Sequence, residues 1–234
     1  MSKQFKNKIC VYCGGLSTTG DHVIARDFFP LSSRANLPIV PACAACNNAK
    51  SALEHYLATI LPGGSAHPVA IEVQRKKLGA RLAKNRRLTR ELGAGMRPLP
   101  NGWGSIPLRA DTVQRYMQFV AKGLAFHHFG VVIDSRFGVE GSVWRTDGPT
   151  ALERMHEEHG DRLTRITASF ADGAFEYIAH VARDYVPLSL WQIRLYGGVA
   201  MGGEGNDLEP GGYEFGAAIM LAKPRRPIWG TGWG

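Results

Sequence analysis

Four cysteines, all within the first 46 residues, constrain this 234-residue chain more than any other feature: Cys10 and Cys13 form one C-x-x-C pair, Cys43 and Cys46 another. Two residues between thiols let a single turn aim both sulfurs at one tetrahedral ion, so two such pairs make a complete four-sulfur zinc site. In a reducing compartment, paired cysteines of this kind serve metals rather than disulfides. The 29 residues separating the knuckles exceed a simple zinc ribbon, so further structure must be built between them. Bound zinc would stabilise such a core-poor segment by an apparent ~10 kcal/mol or more.

Inside that loop, Asp21 and His22 stand side by side before the apolar pair Val23-Ile24, as at the end of a short strand hairpin, where neighbouring side chains point to opposite sides. Asn36-Leu37-Pro38-Ile39-Val40 follows, and Cys43-Ala44-Ala45-Cys46-Asn47-Asn48-Ala49-Lys50 closes the loop. Beyond the second knuckle, Ala49, Leu53, Tyr56, Leu57 and Ile60 recur at helical spacing, which predicts a helix over 47–60. Pro62-Gly63-Gly64 ends it. The expected unit is hairpin, loop and helix, with a carboxylate and an amide oxygen converging from strand and helix. Taken singly, the Asp-His pair reads as a turn, Asn47 as a helix cap and Asn36 as a loop residue. Set inside a four-cysteine frame, they form a pattern.

Residues 8–60 resemble the HNH endonuclease family, in which paired C-x-x-C knuckles, Asp-His, a middle Asn-Leu and Cys-Asn-x-x-Lys occur in this order. The resemblance implies a ββα-metal fold in which His22 is the general base, Asp21 and Asn47 hold a catalytic divalent metal, and Asn36 is the middle Asn that tethers the loop. The closing residue is Asn47 rather than His, as in members with an H-N-N pattern. Such residue types suit phosphodiester hydrolysis, which needs an activated water and neutralised charge on the leaving oxygen. Asp21 and Asn47 offer only oxygen, which favours Mg2+ or Mn2+ over zinc at that position. Ser51, one helical turn beyond Asn47, is a weak ligand, and Glu54 and His55 lie too far along a helix to chelate the same ion with Asn47.

The formal charge is +8, and most of it is local. Between Glu72 and Arg97 nine Lys or Arg face two Glu, and the segment reads either as a solvated helix face or as a phosphate-facing one. On the second reading Arg75, Lys76, Lys77, Arg81, Lys84, Arg86 and Arg87 track a nucleic-acid backbone, with Lys50 on the exposed turn of the preceding helix. Pro68 near its start and Gly93 and Gly95 at its end bound the helix, and four Gly and three Pro over residues 93–110 mark a linker. Asp111 is placed to cap a further helix carrying Val113, Met117, Val120 and Leu124, with His127 and His128 in structural or capping roles near its end. A third helix is expected over Pro149 to His159. From Leu163 onward the period changes, and runs 163–170, 175–182, 188–196 and 213–222 read as antiparallel strands, with Asp172-Gly173 as a hairpin turn.

The expected architecture is α+β: residues 1–64 an HNH module stapled by zinc, 65–110 a basic helix and Gly/Pro-rich linker, 111–234 an α+β domain whose role the sequence does not specify. No apolar run approaches the ~18 residues of a membrane helix, and the N-terminus has no apolar signal core, so a cytoplasmic protein is expected. The function expected from the resemblance is metal-dependent DNA cleavage, the partner being double-stranded DNA, with structural Zn2+ and catalytic Mg2+ or Mn2+. A non-catalytic zinc-knuckle nucleic-acid-binding protein, or an RNA-directed or structure-specific nuclease, are the rival expectations.

Overall fold

Two short strands, β1 (Thr19–His22) and β2 (Ile39–Ala42), pair antiparallel with Asp21 opposite Val40 and His22 opposite Ile39. Alternation along a strand then separates neighbours: Asp21 and Val40 are buried, while His22 is half-exposed and Ile39 exposed. The computed structural model that shows this describes residues 3–99, 104–134, 136–145, 151–200 and 213–221. The Val11 N–H donates to the Pro41 carbonyl at 3.1 Å, so the first knuckle lies along β2. Asn36 takes φ +59 in the turn that leads into β2, a left-handed conformation that Asn tolerates better than most residues.

Helix α1 (Ala44–Ile60) begins three residues earlier than its apolar periodicity predicts. The reason is local: Cys43 occupies the N-cap, and its sulfur accepts from the Cys46 N–H at 3.4 Å, so the second knuckle is itself the helix start. Of the predicted apolar stripe, Leu53, Tyr56, Leu57 and Ile60 are buried, whereas Ala49, nearer the helix start, is exposed.

The basic segment expected as one helix is two. Pro68 opens α2 (Pro68–Lys84), Asn85 breaks it at φ −115° and ψ 74°, and the Asn85 side-chain oxygen accepts from the Leu88 N–H at 3.0 Å to cap α3 (Arg86–Gly95). In the stretch expected as linker, β3 (Arg97–Pro98) and β4 (Gly104–Ser105) pair as a minimal antiparallel ladder. Helix α4 (Ala110–Phe129) buries Val113, Met117, Val120 and Leu124 completely. Arg109 holds its cap position, and Asp111, expected to cap it, lies inside the first turn, where a carboxylate favours the positive end of the helix dipole.

After α4 come β5 (Phe137–Arg145), α5 (Ala151–His159) and the strands β6 (Leu163–Phe170), β7 (Phe175–Ala182), β8 (Ser189–Leu195) and β9 (Tyr213–Leu221). They form one antiparallel sheet in the order β5-β9-β8-β7-β6. The last four match the period-2 runs closely, and Asp172 and Gly173 turn between β6 and β7 at φ +56 and +82. Residues 149–150 of the expected third helix and 201–212 of the Gly-rich connection lie outside the described residues. Among the described residues no helix is long and apolar enough to cross a membrane.

Helix α4 is the shared wall. One side meets β5, where Gly141 lets the Gln114 carbonyl approach so closely that an added Cβ would lie 2.4 Å from it. Its other side meets the hairpin, where Gly123 lies against Val23. The buried apolar residues form one cluster from Cys10 to Ile219. Hydrogen bonds cross the same way: Tyr196 donates to the Phe28 carbonyl at 2.6 Å, and Ser65 to the Tyr196 carbonyl at 2.7 Å.

Candidate metal centre and adjoining carboxylate site

The four cysteine sulfurs all lie within 4.8 Å of one another, and Cys13 Sγ stands 3.8 Å from Cys43 Sγ. Tetrahedral zinc with ~2.3 Å bonds to sulfur separates its ligands by about 3.8 Å, whereas a disulfide needs about 2.05 Å. All four cysteines are free. Charge makes the same point. The Cys46 amide brings the Cys43 thiol down to about 7, while burial and the neighbouring sulfurs push Cys46 well up, so four thiols this close do not ionise together without a cation between them. The donor set, soft and fourfold, fits a structural zinc ion.

Beside this cluster lies a buried polar network built on β1 and α1. Tyr12, between the two cysteines of the first knuckle, donates its hydroxyl to Asp21 Oδ2 at 2.6 Å. The Lys50 ammonium lies 3.1 Å from the same oxygen, donates to the His22 carbonyl at 2.6 Å and pairs with Glu54 one turn along the helix. Lys50 is completely buried and Asp21 is 6% exposed, so these are charge-assisted contacts in a low-dielectric setting. Burial and the Asp21 charge hold the Tyr12 hydroxyl well above the ordinary phenol range, so it remains a donor. Burial likewise raises Glu54, against the pull of Lys50. The Tyr116 ring of α4 closes the site, its centroid 5.8 Å from the ammonium.

His22 is half-buried on the opposite side of β1 from Asp21. Burial first, and then the nearby Arg26, lower its pKa below the free imidazole value, with Asp21 pulling the other way. The neutral ring is the favoured form at neutral pH. Asn47, also half-buried, precedes Lys50 by three residues on α1, which puts the two on one helix face. Hairpin and helix therefore bring the Asp21 carboxylate and the His22 backbone carbonyl to the Lys50 ammonium, with Asn47 one turn before Lys50 on α1. Among the described residues, the group of His, Cys, Asp or Glu close enough to share an ion is the cysteine cluster.

The basic residues divide. Lys50, expected on an exposed turn, is fully buried, because the hairpin carboxylate draws its ammonium inward. Arg81 is buried as well, donating to the Ala58 and Asp27 carbonyls, and Lys77 donates to the Phe29 carbonyl at 2.9 Å. Both tie α2 to the loop between the hairpin strands. Arg75, Lys76, Lys84, Arg86 and Arg87 are exposed, Lys76 paired with Glu72 and Arg87 with Glu91. His128, given a structural role, shares a 2.7 Å hydrogen bond with the Tyr177 hydroxyl and stacks on Trp191.

Sequence reasoning missed two members of the carboxylate network, Tyr12 and Glu54. The signal for Glu54 was its i,i+4 spacing from Lys50; Tyr12 gave none beyond its place inside a knuckle. A cavity of about 450 Å3 opens elsewhere, on the sheet, lined in part by Ser169, Glu176, Gln192, Arg194 and Glu214. No sequence-predicted site residue lines it. Compared with protein-family models, with curated proteins and with solved structures, the chain finds no match.

Proposed function

We propose that the chain is a metal-dependent endonuclease of HNH type that hydrolyses DNA phosphodiester bonds. The observation that carries this reading is the Asp-His strand pair locked against the helix of the second knuckle through Lys50, immediately beside a four-sulfur cluster. His22, held neutral, accepts a proton from the attacking water at a ring nitrogen. Asp21 and Asn47 would hold Mg2+ or Mn2+, which when bound supplies charge to the leaving oxygen. Lys50 balances the buried charge of Asp21 and Glu54, and the exposed cations of α2 and α3 meet the phosphate backbone.

A second reading, a non-catalytic zinc-knuckle protein that binds nucleic acid, is favoured by one contact. The Asp21 carboxylate already has a protein cation at 3.1 Å. Plasmid cleavage with Mg2+, Mn2+ or EDTA, run beside a His22→Ala protein of equal zinc content, separates the two. The endonuclease reading expects metal-dependent cutting by the wild type alone. Intact, zinc-loaded wild type that binds but does not cut any DNA or RNA substrate establishes the binding module instead, and cutting of RNA alone establishes the RNA-directed alternative.

A further inference from the structure

We propose that Arg26 and Arg34, in the loop between β1 and β2, and Lys77 of α2 seat a phosphate of the nucleic-acid backbone beside His22. This rests on the nucleic-acid part of the reading above and is independent of any second metal. It gives Arg26 and Arg34 a role that spacing along the chain does not suggest.

Cations outnumber carboxylates here. Asp27, exposed on the loop, has Arg34 at 3.7 Å and Lys77 and Arg81 each at 3.9 Å, all beyond hydrogen-bond length. Glu72, the other carboxylate whose charge reaches Lys77, is paired with Lys76 at 2.7 Å. Arg26 is exposed one residue before Asp27, and among the described contacts its side chain has neither a hydrogen bond nor an ion pair. Arg26, Arg34, Lys77 and Arg81 thus share one loosely held carboxylate. Burial first, and then the Arg34 charge, bring the Lys77 ammonium down to about 8. Like charges crowded in a half-buried setting oppose one another, and an anion placed among them relieves that cost.

The donors left over suit phosphate. Arg81 is committed to the Ala58 and Asp27 carbonyls. Arg34 donates only its Nε, to the Phe29 carbonyl at 3.2 Å, which leaves both terminal nitrogens of the guanidinium fork without a described hydrogen bond. Lys77 donates to the same carbonyl at 2.9 Å, so fork and ammonium are fixed side by side. A planar fork next to an ammonium matches two phosphate oxygens and their charge. Position argues for a nucleic-acid backbone as the source. The charges of Arg26 and Arg34 both reach the His22 ring, and Lys77 shares α2 with the exposed Arg75, Lys76 and Lys84. A strand tracking α2 would therefore bring one phosphate into the loop next to His22.

The test is affinity for a fluorescent DNA or RNA duplex, whichever the wild type binds, measured by anisotropy from about 50 to about 300 mM salt. The full-length, zinc-loaded chain is used without added divalent metal, as wild type, Arg34→Gln and Arg34→Lys, with the melting temperature checked for each. Arg34→Gln should lower the log–log salt slope by about 0.9 and raise the dissociation constant about tenfold near 0.1 M salt, while Arg34→Lys, which keeps the charge, holds the slope. An unchanged slope in Arg34→Gln would overturn the proposal and leave the nucleic-acid reading standing, whereas wild type that binds neither DNA nor RNA would overturn both. Equal loss of slope in the two variants would assign the effect to loop geometry and overturn the proposal as well. Inorganic phosphate at matched ionic strength separates the sources: if it raises the melting temperature of wild type but not of Arg34→Gln while both bind the duplex equally, the seat takes free phosphate and the backbone role falls. Should Arg34→Gln fail to fold, Arg26→Gln, whose exposed side chain has no described partner, is measured on the same terms: a reduced slope supports the proposal and an unchanged one overturns it.

Discussion

The Lys50 ammonium is shared by two carboxylates, lying 3.1 Å from Asp21 Oδ2 while pairing with Glu54 on its own helix. It is the cation that lets a hairpin and a helix bury acidic groups against each other. Removing one partner of a buried pair leaves charge uncompensated, at a cost of about 3–5 kcal/mol. Lys50→Met should therefore lose stability on that scale in urea denaturation, and adding Glu54→Gln should recover part of the loss. A Lys50→Met protein as stable as the wild type would mean that the pair carries no net weight.

The zinc site predicts a metal stoichiometry. Elemental analysis should find one zinc ion per chain, falling to none in Cys43→Ser. Hydrogen exchange should then rise across β1, β2 and the first turn of α1, because apparent zinc binding of about 10 kcal/mol or more is folding free energy for a segment this small. Unchanged protection in the zinc-free protein would show that the hairpin folds on apolar packing alone.

The division of the basic residues predicts a division of phenotypes. Arg86→Glu with Arg87→Glu should weaken DNA binding and flatten its salt dependence, by about 0.9 in log–log slope for each phosphate that is no longer neutralised. Arg81→Ala should leave that slope alone and cost about 1–3 kcal/mol of stability, since it strips the Ala58 and Asp27 carbonyls of a buried donor. The opposite pattern would place Arg81 on DNA.

Close approach of α4 to β5 predicts that Gly141→Ala is destabilising. Its Cβ would meet backbone, the Gln114 carbonyl at 2.4 Å, so helix or strand must shift, at about 1–3 kcal/mol. Gly138, on the same strand with open space around it, is the control whose substitution by Ala should cost little.

His128 predicts a pH dependence of stability. Burial lowers its pKa below the usual 6.5, so the folded chain favours the neutral ring and the unfolded chain takes up a proton first. Its contribution is complete above pH 6.5 and declines as pH falls through the window beneath it. The stability gap between wild type and His128→Gln should therefore shrink from about pH 7.5 to about pH 5. A constant gap would show that the fold does not shift the ring's pKa, and a widening one that the fold favours the protonated ring.

Much of this molecule is legible in residue order, because much of it is decided by near neighbours. Two C-x-x-C pairs dictate a four-sulfur cluster, since each pair needs only one turn. The runs from Leu163 onward dictate their strands through period-2 alternation, and Val113, Met117, Val120 and Leu124 dictate the buried face of α4. Local chemistry also explains the misplaced boundaries. Cys43 capping α1 and Asn85 dividing α2 from α3 turn on backbone angles that periodicity does not report.

Where the charges of the candidate site go is a matter of long-range packing. Lys50 carries the sequence marks of a surface lysine and is buried, because a strand 28 residues earlier brings Asp21 and the His22 carbonyl to its ammonium. Tyr12 reads as knuckle filler until the fold sets its hydroxyl on that same carboxylate. Arg81 and Arg86 look alike in a basic run, yet one satisfies buried carbonyls and the other faces water. Propensity and spacing act over a few residues, whereas burial of a charge depends on which distant donor or acceptor arrives to meet it, and that is settled only when hairpin, helix and sheet pack together.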